Sequence, residues 1–183
     1  AEALTDSLLA LELALPDDPN PAVRLVDLTG DGHDDALVSI HDPARAGYPL
    51  AGDLLMYVCA EGQFELVAQR SAETGLGTPS VLLVQDIDAD GLAEVVVSSV
   101  QIGAHSTFEY LNILRWNGAG FSDHLADSTG ALPFPEVQFS DFDGDHIYDL
   151  EITSPGFGSV GPGPQRDLRR HWRYASASEL WQQ

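Results

Sequence analysis

The chain has 183 residues with 29 Asp or Glu, 8 Lys or Arg and a formal charge of −21. Its 44% hydrophobic content indicates one globular domain or a small repeat array, not a disordered acidic tail. The carboxylate excess repels phosphate backbones and anionic lipids, so we expect no nucleic-acid binding. The absence of lysine excludes P-loop and Schiff-base chemistry, and no apolar run reaches the roughly 18 residues that membrane insertion requires.

Residues 1–20 form an N-terminal extension rich in leucine. Leu4, Leu8, Leu11 and Leu15 share one helical face, although the alternate leucines from position 9 onward also fit a strand. Because Pro16 ends a helix, we expect a short helix from about Asp6 to Leu15. The segment has no basic signal region, so we expect a mature form cut from a precursor.

An acidic nine-residue pattern occurs three times, as DLTGDGHDD, DIDADGLAE and DFDGDHIYD. We call these segments loop 1 (27–35), loop 2 (86–94) and loop 3 (141–149). Each begins roughly 55 to 60 residues after the one before, a length typical of one small sheet per repeat. Residues 21–183 are therefore predicted to form one all-β domain of three repeats, approximately 21–78, 79–133 and 134–183.

Strands are predicted on both sides of each loop. Apolar residues alternate before loop 1 at Val23 and Leu25 and after it at Ala36 and Val38, and the other loops show the same period of two. Each repeat then offers two more strands around a turn. The expected architecture is twelve strands in three four-stranded sheets, a β-propeller or a related stack.

The acidic loops place oxygen-bearing side chains at positions 1, 3, 5 and 9, where mutual repulsion calls for a hard cation. Calcium takes six to eight oxygens, and alternate side chains plus the carbonyl at position 7 supply most of them. We therefore expect up to three Ca²⁺ ions. The predicted ligands are Asp27, Thr29, Asp31, His33 (carbonyl) and Asp35; Asp86, Asp88, Asp90, Leu92 (carbonyl) and Glu94; and Asp141, Asp143, Asp145, Ile147 (carbonyl) and Asp149.

The position-6 residue of each loop must turn the chain sharply. Gly32 and Gly91 suit a positive φ, and His146 is one of the residue types that tolerate it. Position 12 is apolar in all three copies, which excludes an EF-hand. Because neutral Thr29 leaves loop 1 with three carboxylate ligands against four in each of the other loops, loop 1 is expected to bind calcium most weakly, unless His146 strains loop 3.

The segments LVDLTGDGHDDALVSIHDP, VQDIDADGLAEVVVSSV and FSDFDGDHIYDLEITSPG resemble FG-GAP or VCBS-type repeats of integrin-like β-propellers. The resemblance implies a calcium loop between the first two strands of each blade. It also implies roles in extracellular adhesion and recognition, or as accessory modules of secreted enzymes. Since propellers have four to eight blades, three blades leave sheet edges that either the N-terminal segment caps or a homodimeric ring completes.

No other chemistry has a clear motif. The histidines lack zinc spacing, no serine lies in a GxSxG elbow, and PGFGSVGPGPQR lacks the end of a phosphate loop. Recognition usually resides in loops on a rigid scaffold. The candidate residues for a protein or glycan partner are Tyr48, His105, Phe108, Phe157 and Arg166.

We therefore expect a calcium-binding, non-catalytic recognition or adhesion module outside the cytoplasm, where calcium is millimolar. The alternative is a carbohydrate-active enzyme or its accessory carbohydrate-binding domain, for which paired carboxylates would serve as acid and base.

Overall fold

Three antiparallel sheets contain the thirteen strands of the described part of the chain, which confirms the all-β class. The predicted helix lies outside the described residues except for Asp6, and no described helix is long and apolar enough to cross a membrane. A computed structural model describes residues 6, 22–42, 44–45, 49–103, 107–125, 132–133, 135–155, 167–176 and 178–183.

Sheet 1 holds four strands in sequence order. Its strands are β1 (Val23–Val26), β2 (Asp35–His41), β3 (Gly52–Ala60) and β4 (Gln63–Ser71). Glu61 and Gly62 connect β3 to β4 with φ of 52° and 76°. Two consecutive positive φ angles are the geometry of a type I′ hairpin turn, whose twist matches that of the strands.

Sheet 2 has five strands, one more than the sequence predicts. They are β5 (Ser80–Gln85), β6 (Glu94–Ile102), β7 (Thr107–Trp116), β8 (Phe121–Asp123) and β9 (Leu132–Pro133). β8 pairs only with the last three residues of β7, so the edge at Phe108 and Glu109 remains for β9. The expected count of twelve strands is therefore wrong by this short strand.

Sheet 3 again holds four strands in sequence order. They are β10 (Glu136–Ser140), β11 (Asp149–Pro155), β12 (Asp167–Ala175) and β13 (Leu180–Gln182). The indole N–H of Trp181 in β13 donates to the carbonyl of Tyr148 at 2.9 Å, which fixes this edge strand to the end of loop 3.

Sheet 2 lies between the other two sheets because β6 is apolar on both faces. Val95 and Val97 share a core with Leu37 and Leu54 of sheet 1. Val96, which points the opposite way, belongs to the core between sheets 2 and 3. The other buried residues of this second core are Ile87, Leu111, Ile113, Leu125, Leu132, Leu150, Ile152, Trp172 and Trp181.

Candidate metal centres

The three acidic loops each join the first two strands of their sheet, and they lie side by side. The backbone N–H of Tyr148 in loop 3 donates to the carbonyl of Ile87 in loop 2 at 2.8 Å. A side chain at Gly30 in loop 1 would meet Leu92 of loop 2 at 2.7 Å. The packing of the three sheets therefore brings the three acidic loops, which are distant in sequence, next to one another.

All three loops share one backbone conformation. The position-6 residues have positive φ as expected, at 85° for Gly32, 93° for Gly91 and 72° for His146. Position 4 is also left-handed, which the sequence reasoning missed because Ala89 occupies it in loop 2. The position-4 values are 76° for Gly30, 62° for Ala89 and 84° for Gly144.

The acids at positions 1 and 5 hold this conformation by accepting backbone N–H groups. Position 1 accepts the N–H of position 6 in every loop, at 2.9, 3.0 and 3.0 Å for Asp27, Asp86 and Asp141. Position 5 accepts the N–H of position 7, at 2.8, 2.8 and 2.9 Å for Asp31, Asp90 and Asp145. The position-7 carbonyls of His33, Leu92 and Ile147 stay predicted ligands.

The acid at position 9 is buried in each loop. Asp35 is 0% exposed and accepts three backbone N–H groups, from Leu28 at 2.8 Å, Thr29 at 3.1 Å and Cys59 at 2.8 Å. Glu94, also 0% exposed, accepts only the N–H of Ile87, at 2.9 Å. Asp35 is therefore already satisfied by the backbone, whereas Glu94 keeps one oxygen for another partner.

Buried oxygens without a hydrogen-bond donor concentrate at the predicted ligands. Within the described ranges, four buried side-chain oxygens have no hydrogen-bond partner. They are Thr29 Oγ1, Asp86 Oδ1, Glu94 Oε1 and Asp149 Oδ2. Buried polar groups in folded proteins are nearly always satisfied, so each of these oxygens needs an explanation. A cation held at each loop supplies one.

The carboxylates converge in two of the three loops. Three acidic oxygens lie within 4.8 Å of one another in loop 2, from Asp86, Asp88 and Glu94. Another trio with this spacing in loop 3 comes from Asp141, Asp143 and Asp145. Loop 1, whose residues are all described, forms no such trio. Oxygens on opposite sides of a calcium ion lie about 4.6 to 5.2 Å apart, so both trios fit one coordination shell.

An arginine that the sequence reasoning missed lies over loop 2. Arg115 of β7 contacts Asp88 at 3.0 Å and also pairs with Asp90. Its Nε lies 3.9 Å from Glu94 Oε1, within ion-pair distance but without a hydrogen bond. Arg115 also donates to the hydroxyl of Tyr174 in sheet 3 at 3.4 Å, which links the two sheets.

Arg173 takes the equivalent position in sheet 3. The register pairs Leu114 with Val95 and Trp172 with Leu150, so the next residues, Arg115 and Arg173, lie beside the position-9 acids. Arg173 lies 3.6 Å from Asp143 and is largely exposed. In sheet 1 the same position is Val58. Loops 2 and 3 thus combine four ligand carboxylates with one arginine, while loop 1 has three ligand carboxylates and no arginine, so the predicted ligands and the adjacent arginine sum to −3 in each loop. Asp34, which is not a predicted ligand, adds a fourth acid to loop 1.

The acids at the loops have opposed pKa shifts. Burial, reinforced by the charges of Asp88 and Asp90, raises the pKa of Glu94 to about 7. Burial also raises the pKa of Asp88 and that of Asp149. At Asp27, desolvation is outweighed by N–H donors led by Gly32, and the pKa is lowered. The raised pKa values show that Asp88, Glu94 and Asp149 resist ionisation, whereas the lowered pKa of Asp27 favours it.

The donor set fits a hard divalent cation. Carboxylate, hydroxyl and carbonyl oxygens are the ligands that calcium takes, and nitrogen or sulfur ligands of the kind zinc prefers are absent from the two acidic trios. A cation would lie against the orphan oxygens and relieve the repulsion that raises the pKa of Glu94.

Of the five residues proposed for partner binding, the structure describes Phe108 alone. Tyr48, His105, Phe157 and Arg166 lie outside the described residues. Phe108 lies within β7, opposite Gln101 of β6 and Pro133 of β9. The prediction that Phe108 lies in a loop is therefore wrong, because this part of β7 is paired with β6 on one side and with β9 on the other.

No protein-family model matches the chain, and searches of curated proteins and of solved structures found no match either.

Proposed function

We propose that this chain is a calcium-binding recognition or adhesion module whose three sheets are blades of β-propeller type. The observation that carries the proposal is the identity of the four buried oxygens without a hydrogen-bond partner. Each belongs to a predicted ligand, and every loop contributes at least one. The resemblance to FG-GAP or VCBS-type repeats supports the same assignment, since those repeats hold calcium between the first two strands of a blade.

Calcium acts in this proposal as a structural ion. The loops lie beside one another, and their net negative charges repel across the adjoining ends of the three sheets. A bound Ca²⁺ in each loop reduces that repulsion and fixes the loop ends. Sites of this kind fill at millimolar calcium, which supports a location outside the cytoplasm.

A recognition role fits the site better than catalysis. Glu94 has the raised pKa that a general acid needs, but its side chain is 0% exposed and a substrate cannot reach it. The other acids of loop 2 are bound to backbone N–H groups or to Arg115. The recognition surface is proposed to lie on the long connections of the scaffold, as in other loop-bearing β folds.

Isothermal titration of the chelator-stripped protein with Ca²⁺ tests this proposal. Asp86→Asn and Asp141→Asn should each remove one binding event, because each replaces a position-1 carboxylate. Glu65→Gln, a change of an exposed acid outside the loops, is the matched control and should leave the titration unchanged. Equal heats in all four proteins would refute loop binding, and hydrolysis of a polysaccharide panel by the wild type would refute a non-catalytic role.

A further inference from the structure

The two ends of the stack of sheets differ in chemistry. Residues paired across neighbouring strands share a sheet face. The face of sheet 3 that points away from sheet 2 is polar throughout its centre, where Glu151 is paired with His171 and lies 3.2 Å from it. The other residues of this face include Glu136, Gln138, Thr153 and Arg169. Such a face is suited to solvent and closes this end of the stack.

The opposite end of the stack is apolar. We call it the outer face of sheet 1, and it comprises the side chains turned away from sheet 2. One cross-strand row runs through all four strands and joins Leu25, Ala36, Tyr57 and Leu66. Further members are Val23, Val38, Ile40, Leu55, Cys59 and Phe64. A face of this composition requires a cover in water.

Exposure varies across this face from one side to the other. Val23 on β1 and Ala36 and Val38 on β2 are only 5 to 6% exposed, although the described hydrophobic residues packed against them all come from sheet 1 or the residue before it. Leu66 on β4 and Leu25, nearer the loop end of β1, are 47% and 43% exposed. The pattern fits an occupant narrower than the sheet that lies over β1 and β2.

We propose that the leucine-rich segment Leu4 to Leu15 of the same chain docks on the outer face of sheet 1. The segment precedes β1, an edge strand that itself carries part of this face. Residues 16–22 connect the two and, when extended, span about 25 Å. Four strands are about 14 Å across, so the connection reaches every position on the face.

The dimensions and chemistry of the segment also fit. As a helix, the twelve residues Leu4 to Leu15 would be about 18 Å long, shorter than β3, whose nine residues span about 30 Å. In such a helix Leu4, Leu8, Leu11 and Leu15 share one apolar face. A second copy of the chain fits less well, because ring closure would press the charged face of sheet 3 onto this apolar one.

Cross-linking of the full chain tests the occupant. Cys59, the only cysteine, lies on the outer face of sheet 1 opposite Phe64. Leu8→Cys, Leu11→Cys and Leu15→Cys each add one thiol, and a short bismaleimide should join at least one of them to Cys59 within a monomer. Leu168→Cys, exposed on sheet 3, is the control and should give no internal cross-link. Covalent dimers, or no cross-link in any of the three variants, would overturn the proposal.

A stability comparison tests the same contact without a cross-linker. The double variant Leu8→Asp with Leu11→Asp should lower Tm by about 10 °C, since it puts two charges against a buried apolar face. The double variant Thr5→Asp with Ser7→Asp adds the same charge at polar positions of the segment and should stay within about 2 °C of the wild type. Equal Tm values for the two double variants would show that the leucines do not cover the sheet.

Discussion

Glu94 makes the folded protein less stable as pH rises, whereas most carboxylates do the opposite. Its pKa is raised from 4.5 to about 7 in the folded protein, chiefly by burial. Between these values the folded chain holds a proton that the unfolded chain has released. Without metal, stability is therefore fully present below about pH 4.5 and is lost as pH rises through 7.

The size of the contribution of Glu94 to the free energy of unfolding follows from the same two pKa values. A difference of about 2.5 is worth roughly 3 kcal/mol, since one pKa unit corresponds to about 1.4 kcal/mol. Glu94→Gln is neutral at every pH and removes this contribution, while its amide oxygen still accepts the N–H of Ile87. Asp88 and Asp149, whose pKa values are also raised, remain in the variant. The difference between wild type and variant therefore isolates Glu94.

Urea unfolding in chelator, followed by the fluorescence of the buried Trp172 and Trp181, measures that difference at pH 5 and pH 8. We expect the free energy of unfolding of the wild type, relative to Glu94→Gln, to fall by roughly 2 to 3 kcal/mol between the two, because a small part of the contribution is already lost at pH 5. Calcium should restore most of the loss at pH 8 in the wild type only, because it binds the ionised carboxylate. If, in chelator, the free energies of unfolding of wild type and Glu94→Gln differ by the same amount at both pH values, Glu94 does not hold a proton in the folded protein. Arg115 alone would then neutralise Glu94.

Three further results are expected. Arg115→Gln should raise the calcium affinity of loop 2 about tenfold in calorimetric titration, because the arginine competes for the same carboxylates, and Val58→Arg should lower that of loop 1. Asp35→Ala should lower the free energy of unfolding in chelator, measured in urea, by about 3 kcal/mol, since it leaves three backbone N–H groups without an acceptor. Asp31→Ala removes one exposed acceptor and should lower it by under about 1 kcal/mol. Trp172→Ala should lower the free energy of unfolding by about 3 to 5 kcal/mol, because Trp172 is 1% exposed in the core between sheets 2 and 3. A decrease of under about 1 kcal/mol would contradict that packing.

The strands and the sharp turn at position 6 of each loop could be predicted because both depend on local sequence. Alternation at Val23 and Leu25 reports a strand directly, and the left-handed φ at Gly32 and Gly91 follows from residue type. The sequence did not reveal β9, since Leu132–Pro133 is two residues long and contains a proline, which carries neither period nor strand propensity.

The electrostatics of the loops could not be predicted, because they depend on which residues the sheet register places opposite one another. Arg115 is 21 residues beyond Glu94 in sequence but beside it in the sheet. Counting ligand carboxylates alone made loop 1 the weakest site, whereas Arg115 and Arg173 bring the ligand sets of loops 2 and 3 to the same formal charge as that of loop 1. The expected order of calcium affinities therefore rests on the geometry of the loops. Loop 1 lacks a trio of converging carboxylates, and loops 2 and 3 have one each.

The most direct measurement of the central proposal is the Tm of the stripped protein in chelator, in millimolar Mg²⁺ and in millimolar Ca²⁺. A ligand that binds only the folded state adds about 2.7 kcal/mol per site at a hundredfold excess over Kd. For a chain of 183 residues that is several degrees per site. We expect Tm to rise clearly in Ca²⁺ and less in Mg²⁺, which demands a tighter octahedral shell. The same Tm in Ca²⁺ and in chelator would contradict it.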